Sequence, residues 1–461
     1  MKTFAARRAP GAREVALMVV RDTFGDQPRA AREAMDYRLR RSTFSARDRA
    51  FATELAYGAI KMRRALDARL APFLGAKAAT LPKPIAEILR LGAYQLVYMN
   101  GVEAYAAVSE SVGLARIYGH KGTAGLVNAV LRRVADDLDA HGREDAIAPD
   151  EGAEPGDDAI GRRASLPTWL VAHWRKRFGA ERLAAIVAGV NAPAPIGIGF
   201  DRRRIDADAA RALLAEHGAA ARLSTLSADT LVASDAHGID IETLGAGRWF
   251  LHAESAALPV DLLAPQPGEH VYEACSGRGN KTLQIVARLD GRGALEAVDL
   301  DARKIERLRE RLAVHDAAFV RVAARDAALP GEADCDAVLV DAPCSGIGIV
   351  GRQPEARWRK TPDEGVRLAP AQAAILTAAA TRVKPGGRLV YAVCSTDARE
   401  GDEIVDAFLG ARPEFARAAL PERYAPFATP AGDVLVPPGI EGRDGFFIAS
   451  VFRQASVTAR P

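Results

Sequence analysis

Apolar residues recur at helical spacing over the first part of the chain. Val15 and Leu17 begin one such group, and residues 51–60 contain another. Ser45 precedes the second group as a candidate helix N-cap, and glycines interrupt the later part of the pattern. Residues 1–137 are therefore predicted to form an all-helical bundle of about five to seven helices.

The pattern changes after this helical region. Residues 138–164 are rich in acidic residues and glycine and poor in apolar residues, which predicts a flexible linker. Residues 165–247 then combine a helical stretch at 209–217 with a short strand-like stretch at 196–200. This region is predicted to form a small α/β subdomain.

From residue 267 the chain alternates between strand-like runs, glycine-containing turns and helical stretches. Such alternation is typical of a doubly wound sheet of parallel strands with helices on both faces. We therefore predict a Rossmann-like α/β domain over residues 248–455. Its predicted strands are 271–275, 294–300, 319–323, 337–341 and 388–394.

Composition restricts the class of protein. The chain of 461 residues has 49% hydrophobic and 26% charged residues, which is ordinary for a soluble globular protein. No apolar run approaches the ~20 residues of a membrane span, and we expect no secretory signal. The four cysteines have the spacing of neither a disulfide framework nor a zinc site. We expect a monomeric, cytoplasmic protein that binds neither a membrane nor a metal.

Charge is distributed unevenly along the chain. Residues 1–135 carry 23 lysines and arginines against 11 acids, whereas residues 136–160 carry one arginine against ten acids. The net charge of the whole chain is only +3. The basic first region favours a polyanionic partner, in particular a nucleic acid. A well-solvated basic surface explains the charge alone equally well.

A glycine-rich turn follows the first predicted strand of the α/β domain. Such a turn lets a ligand approach the backbone closely, and an acid at the end of the next strand can bind ribose hydroxyls. Asp299 stands at that place, 22 residues after Gly277. Asp326, at the end of the third strand, is placed to contact an adenine amino group, and the alternative for it is an ordinary turn residue.

Three ligands can be compared at this turn. A nucleotide P-loop needs glycines where Cys275 and Asn280 stand. A nicotinamide-binding fingerprint needs a third glycine where Thr282 stands. S-adenosylmethionine, which has one nucleoside and no pyrophosphate, suits the shorter turn better.

Two cysteines follow predicted strands in similar contexts. Cys344 lies in Asp-Ala-Pro-Cys-Ser-Gly after the fourth strand, and Cys394 lies in Tyr-Ala-Val-Cys-Ser-Thr after the fifth. Open α/β sheets place their sites at the carboxyl ends of strands, so two such cysteines point to a site there. The alternative for each cysteine is a small buried residue of the core.

Paired cysteines suit methylation of a pyrimidine carbon. Carbon 5 of cytosine reacts poorly with a sulfonium methyl group until a thiolate adds to carbon 6. A second group must then assist removal of the carbon-5 proton, and a nearby carboxylic acid can stabilise the adduct. Asp341 is placed for the carboxyl role, and Lys281 can favour a thiolate.

Motifs in both halves of the chain resemble known families. Residues 45–51, 89–96 and 125–133 look like the NusB-type RNA-binding domain. The cysteine motifs resemble the RNA cytosine-C5 methyltransferases, especially the branch with a NusB-like domain that modifies 16S rRNA. The resemblance implies S-adenosylmethionine as cofactor and small-subunit rRNA as substrate. Candidate RNA contacts in the helical bundle are Asn128, Arg132 and Arg133.

The same resemblance assigns roles to single residues. It implies that Cys394 is the nucleophile and that Cys344 helps to resolve the covalent adduct, with Asp341 and Lys281 beside them. The implied cofactor-binding residues are Cys275, Ser276, Gly277, Arg278, Gly279, Asn280, Lys281, Asp299, Asp326 and Asp341. Further candidate RNA contacts are Trp169 (equally expected in the core), Arg175, Lys176, Arg177, Arg352, Arg357 and Trp358.

The cofactor turn departs from the family's usual pattern. That pattern reads Cys-Ala-Ala-Pro-Gly-Gly-Lys-Thr, whereas this chain has Cys-Ser-Gly-Arg-Gly-Asn-Lys-Thr. Arg278 therefore replaces proline and Asn280 replaces glycine. Because asparagine tolerates positive φ better than most residues, we expect the turn and cofactor binding to persist, while Arg278 can alter the contacts of the loop.

Two other functions fit parts of the pattern. An RNA-binding or assembly factor with an inactive methyltransferase domain is one, although the chain retains Cys344, Cys394, Asp341 and Lys281. A small-molecule or DNA methyltransferase is the other, and the basic helical region and the paired cysteines disfavour it.

Overall fold

The chain divides into two units with different secondary structure. The first contains residues 1–179 and 353–359, and the second contains residues 180–352 and 360–461. In the computed structural model, no helix of the described part of the chain is long and apolar enough to cross a membrane. The residues that the structure describes are 9–142, 156–234, 236, 239–317, 319–332 and 334–455.

The first unit is helical, as its apolar pattern predicts. Ser45 caps the third helix, where its Oγ accepts a hydrogen bond from Asp48 N at 3.1 Å. Leu17, Leu55 and Leu89 are fully buried in the core of this unit. Its helices are α1 (Ala12–Phe24), α2 (Ala31–Leu39), α3 (Ala46–Lys61), α4 (Arg63–Leu74), α5 (Lys83–Tyr98), α6 (Ala104–Tyr118), α7 (Lys121–His141), α8 (Asp157–Ala164) and α9 (Thr168–Phe178).

The predicted linker over residues 138–164 is wrong at both ends. Helix α7 continues to His141, and α8 begins at Asp157. Aspartates in the first turn of α8 favour the helix through its dipole, and Arg175 Nε donates to Asp157 Oδ1 at 2.7 Å. The acidic composition that suggested a linker therefore supports a helix start here. The remaining predicted linker residues, 143–155, lie outside the described part of the chain.

The second unit begins with a small antiparallel sheet and its helices. These elements are α10 (Ala180–Asn191), β1 (Ile196–Phe200), α11 (Ala207–Glu216), β2 (Ala220–Leu223), β3 (Thr230–Ser234), α12 (Ile241–Gly245) and β4 (Trp249–Leu251). The strands pair in the order β2–β3–β1–β4. The predicted boundary at residue 247 is too early, because β4 completes the sheet. Trp249 anchors this strand in the core, where its Nε1 donates to Ile241 O at 2.6 Å.

A larger mixed sheet forms the rest of the second unit. Its elements are α13 (Glu254–Leu263), β5 (His270–Ala274), α14 (Asn280–Leu289), β6 (Ala294–Asp299), α15 (Ala302–Val314), β7 (Val320–Ala324), β8 (Cys335–Asp341), α17 (Glu364–Ala380), β9 (Val383–Val393), α18 (Asp402–Ala411), β10 (Phe415–Arg417), β11 (Val434–Val436) and β12 (Phe446–Arg453). The short helix α16 (Ala356–Arg359) lies between β8 and α17 in the chain and belongs to the first unit. Strands β7–β6–β5–β8–β9 are parallel, which confirms the five predicted strands and the Rossmann-like fold.

The sheet continues beyond the predicted parallel strands. Strand β12 pairs with β9 in antiparallel fashion, and β10 and β11 both pair with β12. A purely parallel sheet is therefore wrong at this edge. The chain order reverses beside β5, which lies between β6 and β8, so the carboxyl ends of β5, β6, β8 and β9 border the crevice where open α/β sheets bind ligands.

Candidate active site

The glycine-rich turn joins β5 to α14 at the carboxyl edge of the larger sheet. Three of its residues have a left-handed backbone: Cys275 and Gly277 have φ +60°, and Gly279 has φ +84°. A Cβ at Gly279 would also lie 2.2 Å from a side-chain atom of Leu308, so only glycine fits without strain. The turn places backbone amides at the start of α14, where polar or anionic ligand groups are favoured.

Asp299 holds this turn from the end of β6. Its Oδ2 accepts a hydrogen bond from Gly277 N at 2.9 Å, and its Oδ1 accepts one from Asp301 N at 2.9 Å. Lys304 Nζ lies 3.5 Å from Oδ1. The structure therefore brings Asp299 to the turn and shows that it shapes the turn, while its ribose contact stays a prediction.

Two other predicted cofactor residues differ in their surroundings. Ser276 Oγ is buried and has no hydrogen-bond partner among the described residues, so a bound ligand could satisfy it. Asp326 is exposed, and its Oδ1 accepts a hydrogen bond from Ala328 N at 2.9 Å, as an ordinary turn aspartate does. The Ser276 hydroxyl and the glycine turn fit a nucleoside cofactor, and an adenine contact by Asp326 stays a prediction.

Arg311 on α15 supports the two substituted positions of the turn. Its guanidinium Nη1 donates to Arg278 O at 2.6 Å and to Asn280 Oδ1 at 2.7 Å. Asn280 thus accepts a side-chain hydrogen bond that glycine at this position could not accept. Sequence reasoning missed Arg311, because no local pattern links it to a turn 31 residues earlier in the chain.

Lys281 and Asp341 form a buried ion pair between α14 and the end of β8. Their Nζ and Oδ2 atoms are 2.7 Å apart, and the side chain of Lys281 is 9% exposed. Burial alone would lower the pKa of Lys281, but the negative charges of Asp341, Cys394 and Glu273 outweigh burial and raise it. The lysine is therefore held as a cation beside the second cysteine loop.

The structure brings the two predicted catalytic cysteines together. The sulfur atoms of Cys344 and Cys394 are 3.3 Å apart, and both side chains are half-buried. The hydrogen bond to the Cys394 sulfur, together with burial, raises the pKa of the Cys344 thiol well above its ordinary value. At Cys275, burial and two neighbouring aspartates raise the pKa to about 12, which keeps this third cysteine a thiol at neutral pH.

A second buried acid lies on β5, behind the cofactor turn. Glu273 is 1% exposed, and its Oε2 accepts a hydrogen bond from Thr282 Oγ1 at 2.6 Å. Burial raises the pKa of Glu273 to about 8, although Thr282 and Lys281 oppose the shift. At neutral pH this carboxyl group is therefore mainly protonated.

A third acid, Glu400, connects the two cysteine loops, and sequence reasoning missed it. It is fully buried, and its carboxylate accepts hydrogen bonds from Ser345 N at 2.8 Å and from Ser395 Oγ at 2.5 Å. These serines directly follow Cys344 and Cys394. The available signal was the serine after each cysteine, which the sequence alone could not pair with a distant acid.

The predicted RNA contacts fall into two groups. Arg132 and Arg133 are exposed on α7, so they stay candidates. The prediction is wrong for Arg357, which is 1% exposed and donates to Ser165 O at 3.2 Å within the first unit. Trp358 Nε1 in the same segment donates to Ile60 O at 2.6 Å. The expectation of RNA contacts in this segment came from the family resemblance, which does not report the burial of Arg357.

Two other candidate RNA contacts are engaged within the protein. Arg352 donates to Asp444 at 3.0 Å, and Arg175 donates to Asp157. Trp169, which was equally expected in the core, is half-buried.

A group of possible metal ligands lies at the opposite edge of the sheet. His270, Asp334 and Cys335 offer ligand atoms within 4.8 Å of one another near the amino ends of β5 and β8. Burial, together with the hydrogen bond to Asp334, raises the pKa of the Cys335 thiol.

Family models match three consecutive parts of the chain. Residues 10–136 match the NusB family, and residues 166–240 match the ferredoxin-like domain of RsmF/B-like methyltransferases. Residues 260–452 match the family described as 16S rRNA methyltransferase RsmB/F.

Curated relatives match over nearly the whole chain. The ribosomal RNA small subunit methyltransferase B of Thermus thermophilus is 34% identical, over 97% of this chain and 98% of the relative. The protein of the same name from Pseudomonas putida is 33% identical, over 89% and 92%.

Solved structures show the same fold. The crystal structure of PH0851 covers 97% of this chain and all of its own, with a TM-score of 0.77 at 21% identity. A methyltransferase homologue from Pyrococcus horikoshii covers 65% of this chain and 100% of its own, with a TM-score of 0.55 at 19% identity.

Proposed function

Because the chain belongs to the RsmB/F family of 16S rRNA methyltransferases, we propose that it transfers a methyl group from S-adenosylmethionine to carbon 5 of a cytosine in small-subunit rRNA. In this proposal Cys394 forms a transient bond to carbon 6 of the base. The observation that carries it is the 3.3 Å distance between the Cys344 and Cys394 sulfurs beside the Lys281–Asp341 pair. A structural role would not require two half-buried thiols next to a buried cation.

The first step is addition of the Cys394 thiolate to the base. The Lys281 ammonium lies close enough to interact electrostatically with Cys394, and this favours the thiolate. Asp341 uses Oδ2 to accept from Lys281, so its other oxygen is available to share a proton with ring nitrogen 3 of the base, which must carry that proton once the thiolate has added. The target base must leave its stack to reach this edge of the sheet.

Release of the product requires loss of the carbon-5 proton. S-adenosylmethionine, when bound, supplies an electrophilic methyl group to carbon 5. Cys344 lies beside the sulfur that holds the base and is a thiol in the resting enzyme, because its pKa is raised. In this proposal it first loses its own proton to water, and the resulting thiolate then accepts the carbon-5 proton. Once the proton has gone to Cys344, the electrons of the carbon–hydrogen bond restore the ring double bond and expel the Cys394 thiolate.

The first unit is proposed to bind rRNA. Its match to the NusB family and the excess of 23 basic over 11 acidic residues in 1–135 support this assignment. A weak basic module raises the effective concentration of the catalytic unit on a structured RNA. The exposed Arg132 and Arg133 are the proposed contacts. A monomeric, cytoplasmic enzyme remains the expectation.

The test is transfer of labelled methyl from S-adenosylmethionine to undermethylated small-subunit rRNA, followed by mapping of 5-methylcytosine. Cys394→Ala should abolish transfer, and Cys344→Ala should accumulate a protein–RNA adduct that survives denaturation. Cys335→Ala, at the opposite edge of the sheet, is the matched control and should retain activity. Full activity of Cys394→Ala would contradict the nucleophile, and normal turnover of Cys344→Ala without an adduct would contradict the resolving role.

A further inference from the structure

Glu400 lies in a short turn after β9, with its side chain completely buried. Its Oε1 accepts hydrogen bonds from Ser345 N at 2.8 Å and from Gln372 Nε2 at 3.0 Å. Its Oε2 accepts from Ser345 Oγ and, at 2.5 Å, from Ser395 Oγ. The two hydroxyls also lie 3.0 Å from each other. One carboxylate therefore joins the residues that follow both catalytic cysteines.

Neighbouring elements fix the position of this carboxylate. Gln372 on α17 binds Glu400 and also donates to Pro343 O at 2.9 Å, so it holds the residue before Cys344 as well. Tyr391 on β9 donates from its hydroxyl to Glu400 O at 2.7 Å. Hydrogen bonds from the sheet and from a helix thus fix the position of Glu400.

The two cysteines depend on the hydrogen bonds of Glu400 to different degrees. Cys394 directly follows β9, and its carbonyl accepts a hydrogen bond from Gly348 N at 3.1 Å. Cys344 lies two residues beyond the last paired residue of its strand, Ala342, and the hydrogen bonds of its flanking residues lead to Glu400 and Gln372. Loss of the Glu400 hydrogen bonds should therefore displace Cys344 more than Cys394.

We infer that Glu400 is a positioning residue that sets the distance between the Cys344 and Cys394 sulfurs. The inference rests on the proposed function only in its kinetic consequence, which is that release of the adduct slows more than its formation. The carboxylate itself takes no part in the chemistry. Buried, fully hydrogen-bonded carboxylates of this kind fix local geometry because each lost bond leaves a buried polar group unsatisfied.

The sulfur distance can be measured without RNA or cofactor. Phenylarsine oxide condenses with two close thiols, forming two arsenic–sulfur bonds and releasing one water, and does not bind single thiols stably. We expect the full-length protein to bind it through Cys344 and Cys394, as loss of binding in Cys344→Ala would verify. Glu400→Gln keeps the size of the side chain but has one oxygen fewer to accept hydrogen bonds, and should bind at least ten-fold more weakly. Glu400→Asp keeps the charge, but its side chain is too short to reach both loops. It should therefore also bind phenylarsine oxide at least ten-fold more weakly.

The matched control is Glu403→Gln, which removes an exposed carboxylate three residues away and should bind phenylarsine oxide like the unaltered protein. Wild-type binding by both Glu400 variants would overturn the inference. So would weaker binding that merely parallels a loss of thermal stability, since a purely structural role would produce it.

Single-turnover methylation adds the kinetic readout. With Glu400→Gln, the rate of adduct release should fall at least ten-fold and the rate of adduct formation by less than three-fold, so the adduct accumulates as in Cys344→Ala. If Cys344→Ala itself accumulates no adduct, the proposed resolving role fails, while the arsenical measurement still decides the inference about Glu400. If Cys344→Ala accumulates the adduct and both Glu400 variants release it at the normal rate, the inference fails and the proposed function stands.

Discussion

The buried carboxyl group of Glu273 makes a quantitative prediction about stability and pH. Burial raises its pKa in the folded protein to about 8, from an ordinary value of 4.5. An acid whose pKa rises on folding contributes a stability that is fully present below pH 4.5. That contribution is lost as the pH rises towards 8, because the unfolded chain ionises more readily than the folded one.

The size of the effect follows from proton linkage. A glutamate with these two values lowers the free energy of unfolding by about 0.8 kcal/mol at pH 5 and by about 3.4 kcal/mol at pH 7. Glutamine at position 273 cannot ionise and keeps nearly the same shape. Glu273→Gln can have a cost in packing or in its bond with Thr282, but this cost does not change with pH. The free energy of unfolding of the variant, relative to that of the wild type, should therefore rise by about 2.5 kcal/mol between pH 5 and pH 7.

The assay must report on the second unit alone, because a chain with two units need not unfold in one step. Urea unfolding at pH 5, 6, 7 and 8, read by pulsed hydrogen exchange in peptides from β5 and α14, meets this need. Val271→Ala on the same strand removes buried apolar volume without a titrating group, so its difference from the wild type should not vary with pH. A difference for Glu273→Gln that is equally constant would refute the argument that Glu273 is held protonated.

Three further predictions concern single contacts. Asp341→Asn leaves the buried Lys281 ammonium without its carboxylate and should lower the free energy of unfolding by about 3 kcal/mol in urea titrations. Since the pKa of Lys281 is raised by folding, the full loss should be seen from neutral pH up to its ordinary value of 10.5. Gly279→Ala meets both a positive φ and a steric clash, and should lose about 1–3 kcal/mol of stability and weaken S-adenosylmethionine binding in calorimetry. Trp358→Phe loses the bond to Ile60 O and should lower the stability of the first unit by about 1 kcal/mol, without the change in salt dependence of RNA binding that loss of an RNA contact would cause.

Elements with a strong periodic pattern were predictable from the sequence. The helices of the first unit and four of the five parallel strands (β5, β6, β8 and β9) bury a continuous apolar face or run, so the pattern of residues reports them directly. Strand β7 is only partly buried. The strand over Phe446–Arg453 has an equally apolar run, yet its antiparallel pairing with β9 is a property of the sheet and not of the segment. Helix α8 was not predicted, because its acidic composition was interpreted as that of a linker. Its ion pair with Arg175 cannot be seen from the local sequence.

The candidate site shows the same division between local and distant information. Cys344, Cys394, Asp341 and Lys281 could be predicted to meet, because each lies at a strand end or helix start whose place in the fold is determined by topology. Arg311 could not be predicted, because an exposed helix contains many basic residues and only the folded structure shows which one reaches the turn. The RNA contact of Arg357 was wrong because it was inferred from the family resemblance, whereas the burial of this side chain depends on its partners in the folded first unit.

The three carboxyl groups of the site, Asp341, Glu273 and Glu400, differ in how their negative charge is balanced. Asp341 is paired with the lysine at 2.7 Å, so its charge is already compensated. Glu273, whose pKa is raised to about 8, is mainly neutral at pH 7 and adds little negative charge near Lys281. Glu400 directs both oxygens to serine, glutamine and backbone donors, which spread its charge over several dipoles. Ionisation of Glu273 above about pH 8 would therefore add a further negative charge beside the Lys281 ammonium.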